Sequence, residues 1–545
     1  MKVNRALRIK NNRFAQTARK DWSSAFIMLA LLFALGCLSA SAQKRDARAP
    51  SRKLPAPDKI IGEYLKATGG KKRQAAVRDA AYEYAALLKE QPAGRATVRV
   101  KAPASVRTDT LLEEGEINAA SNGRSAWERG RDRLLRTLTD TAGNNAKLQS
   151  ALVASRLVDY KKLNILARTL MLDETGREPA YVLEFSSRNG ARVRYWFGVS
   201  SHLLLQVQDE ARRLKMSFAD YRAENGLLEP HRVDVQLGDD AVTLLLQKAS
   251  FNTGISDGVF DPPSAEALDI PALLRELVQN QKKVDERVSE YSFVEKRTER
   301  EINDRGEVKK EKVTVYEVYP LEGGGMIYKL VSEDGKPLTP ERLAKQNKNI
   351  EEYLAKRERE LEKKKAKEAE AAAKNSGAEK KKTDEDSDDV GITTFLKACE
   401  FVSPRREKRG EREAVVFDFR PRAGFRPSNM AENIVSKLVG VIWIDPVDKE
   451  VIRLEARLSQ DFKIAGGLLA SIRPGSAFVF EQTRLPEGVW LPLFAQANLM
   501  AKVFIFKGVE ANEVREFSDY KRYSTDASGY KLESPKQDNE EKKKP

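Results

Sequence analysis

The chain has 545 residues, of which 41% are hydrophobic and 32% are Asp, Glu, Lys or Arg, and its formal charge is +15. That composition supports real cores and excludes a wholly disordered chain or a multi-span membrane protein; with the ends and a charged insert set aside, roughly 450 residues remain, room for two or three domains. Two His (His202, His231) and two Cys (Cys37, Cys399) cannot furnish a Cys/His zinc site, a His-rich metal cluster or a disulfide framework, and no cofactor is expected.

Lys2, Arg5, Arg8, Lys10, Arg13, Arg19 and Lys20 precede an apolar run at 25–38 and the small residues Ser39-Ala40-Ser41-Ala42. This is the order of a cleaved secretory signal peptide over residues 1–42, and the run falls short of the ~20 residues that span a bilayer. The expected compartment is the periplasm or cell envelope. Ala34-Leu35-Gly36-Cys37 is a poor lipidation box, since a Leu one position earlier would fit better. Seven basic residues and Asp21 give this segment +6, leaving +9 for the mature chain. Such a charge suits transient contact with an anionic membrane surface. Nucleic acid is not an expected partner, because no basic stripe is interleaved with aromatics.

A short helix is predicted at 58–67, with Ile60, Ile61, Tyr64 and Leu65 on one face and Gly69-Gly70 ending it. From there to Pro263 the dominant period is two, the mark of half-buried antiparallel strands. Tyr181, Leu183 and Phe185 alternate with Val182, Glu184 and Ser186; Asn189-Gly190 supplies a hairpin; Val193, Tyr195 and Phe197 alternate with Arg192, Arg194 and Trp196. Leu203, Leu205 and Val207 continue the apolar face. Between 144 and 158 the period becomes helical, with Leu148, Leu152 and Leu157 forming a stripe.

A second helix at 270–288 opens the second half, and strands resume near Tyr291. Thr339-Pro340-Glu341 starts another helix. Residues 346–389 carry twelve basic and thirteen acidic residues, so a helix to Lys374 with no face to bury is expected to project into solvent as a spacer, followed by a disordered stretch. The expected layout is a first domain at 58–263, a second at 266–532 carrying the insert 340–389, and a polar tail at 533–545.

The halves repeat one another. Trp196-Phe197 and Trp443-Ile444 are followed at equal offsets by Leu204, Leu205 and Val207 and by Val451, Ile452 and Leu454. Phe218, Arg222, Gly226 and Pro230 recur with the same spacing as Phe480, Arg484, Gly488 and Pro492.

The run from Tyr64-Leu65-Lys66-Ala67-Thr68-Gly69-Gly70 through Pro103 with Arg107, Asn122-Gly123-Arg124-Ser125-Ala126-Trp127, Leu157-Val158-Asp159-Tyr160 and Pro179-Ala180-Tyr181 to Asp220-Tyr221-Arg222 and Pro230-His231-Arg232 resembles the outer-membrane lipoprotein-sorting proteins, relatives of the periplasmic carrier LolA. The resemblance covers about 58–263. A diverged second copy is marked by Phe417-Asp418-Phe419-Arg420-Pro421 and Trp443-Ile444-Asp445, where the charged insert departs from the family pattern. It implies a mainly β, α+β protein: two tandem half-open antiparallel barrels with covering helices, binding lipid or lipoprotein acyl chains without catalysis. Strand parity puts Tyr181, Leu183, Phe185, Val193, Tyr195, Phe197, Leu203 and Leu205 on the inward face of the first cup and Ile442, Ile444, Ile452 and Leu454 on that of the second. An RseB-type envelope-stress sensor and a structural scaffold with closed barrels are the alternative readings.

No G-x-S-x-G elbow, phosphate loop or H-E-x-x-H helix occurs. Asp384 to Asp389 mimics the start of a calcium loop but lacks its Gly and final Glu. Gly323-Gly324-Gly325 reads as a turn, and His202 and His231 read as structural.

Overall fold

The computed structural model describes residues 54–264, 269–288, 290–303, 306–321, 325–374, 392–464, 470–503 and 509–522. The export segment with Cys37, the acidic stretch 384–389, Gly323-Gly324 and the tail 533–545 lie outside the described residues.

Helix α1 (Pro57–Ala67) forms where predicted and buries Ile60, Ile61 and Leu65; α2 (Lys71–Ala76), which the sequence did not announce, follows at once. The first sheet then runs β1 (Asp79–Leu88), β2 (Gln91–Lys101), β3 (Ser105–Leu112), β4 (Gly115–Ser121), β5 (Ala126–Arg129) and β6 (Leu135–Thr137). Helix α3 (Asp140–Ala154) intervenes. The sheet resumes with β7 (Leu166–Asp173), β8 (Ala180–Ser186), β9 (Arg192–Gly198), β10 (Leu204–Asp209), β11 (Leu214–Glu224), β12 (Leu227–Leu237) and β13 (Asp240–Phe251). Every neighbour is antiparallel, β1 pairs with β13 at the centre, and β6 and β7 are the free edges.

The sheet curls. Helix α3 touches β3 and β9, which lie seven places apart in the strand order. In a flat sheet that separation would be about 34 Å at ~4.8 Å per strand, whereas a helix of 15 residues is only about 22 Å long. The helices α1 and α3 therefore lie on a concave face.

The second half repeats this plan. Helix α4 (Ile270–Val288) precedes β14 (Tyr291–Ile302), β15 (Val308–Pro320), β16 (Met326–Glu333) and β17 (Lys336–Pro337). Helices α5 (Pro340–Lys374) and α6 (Ile392–Ala398) lead to β18 (Cys399–Arg409), β19 (Arg412–Pro421), α7 (Met430–Val435), β20 (Leu438–Ile444), β21 (Val451–Leu458), β22 (Phe462–Ile464), β23 (Ala470–Ile472), β24 (Ala477–Arg484), β25 (Trp490–Val503) and β26 (Val509–Arg522). Its order is β17-β16-β15-β14-β26-β25-β24-β21-β20-β19-β18, with first and last strands again paired inside the sheet. Counted from that pair, β9, β10, β11 and β12 correspond to β20, β21, β24 and β25, the strands that carry the repeated residues. Gly226 and Gly488 hold the equivalent turns at φ 80° and 89°, a conformation that suits Gly. Mainly β architecture with two large antiparallel sheets was thus legible; neither sheet closes on itself among the described residues.

The charged helix departs from expectation. Its length is as predicted, but its first turns are docked rather than free: Ile350 is 9% exposed, and Leu343, Gln346, Asn347, Leu354 and Arg357 fall on the same half-buried stripe. The Leu330 amide of β16 donates to Gln346 Oε1 at 3.0 Å, and Gln346 Nε2 donates to the Leu330 carbonyl at 3.0 Å. One side-chain amide thereby stands in for a neighbouring strand and covers an edge that would otherwise be open to pairing. Gln346→Ala should speed hydrogen exchange at Leu330 roughly tenfold, the loss of about 1–1.5 kcal/mol of hydrogen bonding; unchanged exchange would mean the helix is held by Ile350 alone.

Candidate functional site

The concave face of the first sheet is built by strand alternation. Leu183, Phe185, Val193, Tyr195 and Phe197, all 0–3% exposed, pack with Tyr181 against Ile60, Ile61 and Leu65 of α1 and Leu148 and Leu152 of α3. At such low exposure no water-sized space adjoins these five side chains, because its wall would count as accessible. Edge-to-face rings join Tyr64 to Phe197 at 5.3 Å and Phe185 to Tyr195 at 5.0 Å.

Two predicted positions on this face are corrected. The pairing of β10 with β9 slips between Leu204 and Gln206, so Leu204 and Val207 enter the core, while Leu203 and Leu205 are half-buried outside it. A bulge adds one residue and reverses the facing of what precedes it. In the second sheet a slip between Trp443 and Ile444 has the same result. Ile442 and Ile444 lie under α4 with Val451, and Leu454 borders that cluster, but Ile452 turns to the opposite face beside Trp443 and Trp490.

Towards the centre of the first sheet the helical cover thins. Tyr84, Met216, Phe218, Val235 and Val242 are half-buried around Ala86, Ala96, Val233 and Leu244. Tyr64 and Tyr221 are half-buried too. Burial pushes the Tyr64 hydroxyl up to about 12, and those of Tyr84 and Tyr221 further up. These three rings border the thinly covered part of the concave face. The Tyr195 hydroxyl, buried beside it, has no hydrogen-bond partner among the described residues.

Close to Tyr64 lies a largely buried ion pair. Arg156 donates to Glu229, to the side-chain amide oxygen Oε1 of Gln74 and, at 3.0 Å, to the Tyr82 hydroxyl. Arg156 and Leu157 follow α3 in left-handed conformation, φ 52° and 59°, which turns the guanidinium back into the sheet. Leu157 is buried as the periodicity suggested, but beyond the end of its helix.

No protein-family model matches the chain, and no curated protein matches it. Among solved structures it is similar to a LolA superfamily protein from Nitrosomonas europaea, at 13% identity and TM-score 0.26 over 38% of this chain and 98% of that one. A DUF1329 family protein from Desulfovibrio piger is similar at 11% identity and TM-score 0.22 over 37% and 96%. The MucA/MucB complex of Pseudomonas aeruginosa is similar at 8% and 0.15 over 85% and 99%. At these scores the fold rests on the strand order and pairing given above.

The second sheet differs at the equivalent place. Where β1 and β13 of the first sheet contribute Tyr82, Tyr84, Leu244 and Leu246, β14 and β26 contribute Glu295, Arg297, Glu513 and Arg515. These form a ring of alternating charge: Arg297 to Glu295 at 2.8 Å, Arg515 to Glu513 at 2.6 Å, and cross contacts of 3.7 and 3.8 Å. Parity gave the facing of unbroken strands; it did not single out the half-buried apolar residues Tyr84, Met216, Phe218 and Tyr221 or the pair Arg156 and Glu229. The signal available was the position of Phe218 in the repeated block.

Proposed function

We propose that this is an exported, non-catalytic envelope protein whose first half, a half-open barrel, binds one lipid or lipoprotein acyl chain per molecule. The observation that carries the reading is the apolar patch of Tyr64, Tyr84, Met216, Phe218 and Tyr221, which the protein's own helices leave half-buried; we read it as the mouth of a recess on the concave face. Hydrocarbon entering it gains about 0.8 kcal/mol per buried methylene. Tyr181, Leu183, Phe185, Val193, Tyr195 and Phe197 would form the packed layer behind it. The charged ring at Glu295, Arg297, Glu513 and Arg515 makes the second half unsuited to an alkyl chain, because paired charges would be stripped of water. Ile442, Ile444 and Leu454 are therefore read as closed core, giving a stoichiometry of one.

Native mass spectrometry of protein purified from the envelope should show one acyl-bearing molecule per chain. Phe218→Glu should weaken binding of a fluorescent fatty acid more than tenfold, with Tm within a few degrees of the parent. A stoichiometric protein partner without lipid would point instead to an RseB-type sensor, and neither lipid nor partner to a scaffold.

A further inference from the structure

The two sheets meet across a seam. The convex face of the second, from β18 to β24, packs on residues 122–147 of the first, and further contacts at Asn164, Arg168 and Arg188 reach the neighbourhood of the other free edge. The second half therefore spans the gap between β6 and β7.

Along β21, Arg453, Glu455 and Arg457 alternate on the convex face as the rungs of a charge ladder. The first rung pairs with Asp140 at 2.6 Å and the second with Lys147 at 3.7 Å. The third lacks its anion. Arg457 donates to the Gly123 carbonyl at 2.8 Å, and no carboxylate among the described residues lies within ion-pair distance of it.

Burial, and the charge of another cation, Arg124, lower the Arg457 proton affinity. Arg124 is held by the turn at Asn122, whose side-chain oxygen accepts from the amides of Arg124 and Ser125, both at 2.9 Å. Its Nη2 reaches Asp261 at 2.7 Å, but its buried Nε has no hydrogen-bond partner, and Asp418 stands 3.7 Å away. Asp418 is itself engaged by Arg405 at 3.0 Å and Ser125 at 2.8 Å. Two half-buried guanidiniums thus share this corner, one with no carboxylate beside it and the other with a buried Nε that has no hydrogen-bond partner, an arrangement that an anion would complete. Arg420 and Glu400, paired with each other and 46% and 45% exposed, mark the solvent side.

We propose that the seam holds an anion-binding site in which Arg457 and Arg124 grip a phosphate group, and that bound phosphate locks the two halves together. The site goes beyond the acyl-chain reading and stands whether or not the recess holds lipid.

Equilibrium dialysis of the full chain against labelled inorganic phosphate at constant ionic strength should show saturable uptake of one phosphate per chain. Arg457→Met, which keeps the aliphatic stem, should weaken it at least tenfold. Without phosphate this variant should melt no lower than the parent, since it removes an uncompensated charge. At about a hundredfold excess over Kd the parent should gain roughly 3–5 °C in Tm that the variant does not. Soluble dihexanoyl phosphatidic acid should displace the label: tighter competition than by inorganic phosphate identifies a lipid headgroup as the source, and equal or weaker competition identifies free phosphate. Absence of saturable uptake by the parent, or equal uptake by Arg457→Met, would overturn the site; if that variant does not fold, the dialysis of the parent decides alone.

Discussion

Glu229→Gln is expected to cost about 3–5 kcal/mol of stability, because it leaves the Arg156 guanidinium buried without its counter-charge. Both side chains are largely buried, and Glu229 also accepts from Tyr82 at 3.4 Å. The loss has a conformational part. Two consecutive non-Gly residues sit in left-handed backbone after α3, each at a cost of roughly 1–2 kcal/mol, and the contacts of Arg156 with Gln74, Tyr82 and Glu229 hold that turn in place. The pair Arg156→Met with Glu229→Leu should recover most of the loss, since apolar replacements of similar volume carry no unpaired charge. Urea titration at pH 7 of the single and double variants makes the test. A single variant within 1 kcal/mol of the parent would mean that water already reaches the pair.

Asp418→Asn is expected to be as damaging and to act between the halves. Asp418 and Arg405 are 0% and 1% exposed, and Arg405 also binds Glu407 at 2.9 Å and the Thr137 hydroxyl at 2.7 Å. Glu407 in turn accepts from the Thr137 amide at 3.0 Å. Removing the Asp418 charge leaves Arg405 with Glu407 as its one remaining carboxylate and takes a counter-charge from Arg124, for about 3–5 kcal/mol, and loosens the contact between the sheets. A lower Tm accompanied by a larger radius of gyration in solution scattering is the expected pair of readings. The exposed pair formed by Glu400 and Arg420 is the control: Glu400→Ala should change stability by less than about 1 kcal/mol. A compact, fully stable Asp418→Asn protein would show that the seam is held elsewhere.

Acid should weaken the same seam through Asp140. Burial, the largest single influence, works against its carboxylate, but Arg453, Thr139 and Arg409 together hold it below the ordinary value of 3.8. Its contribution is complete above that value and is lost as pH falls through the lowered one. Asp140 is itself well exposed, so solvent screens this pair and its share is small beside that of Asp418.

The sequence by itself determined the strands, the hairpin at Asn189-Gly190, the helices at both ends of the first sheet and at the start of the second, and the duplication. These are local: alternation of period two, turn residues and helical stripes act over a few residues. It also determined the facing of Leu183, Phe185, Val193, Tyr195 and Phe197, because β8 and β9 pair without a slip. Parity failed at Leu203, Leu205 and Ile452, where one bulged residue reverses the face and composition gives no warning. Tertiary structure alone decided that Gln346 and Ile350 dock a helix that reads as solvated from end to end, because an open strand edge satisfies an amide whose partner lies 16 residues away. It also decided which apolar side chains the helices leave half-buried, since Tyr64, Tyr84, Phe218 and Tyr221 come from three separate elements. The seam is the clearest case: Arg405, Asp418 and Arg453 read as surface charges on alternating strands, and only the approach of a second sheet, hundreds of residues distant in the chain, removes their water and makes pairing obligatory.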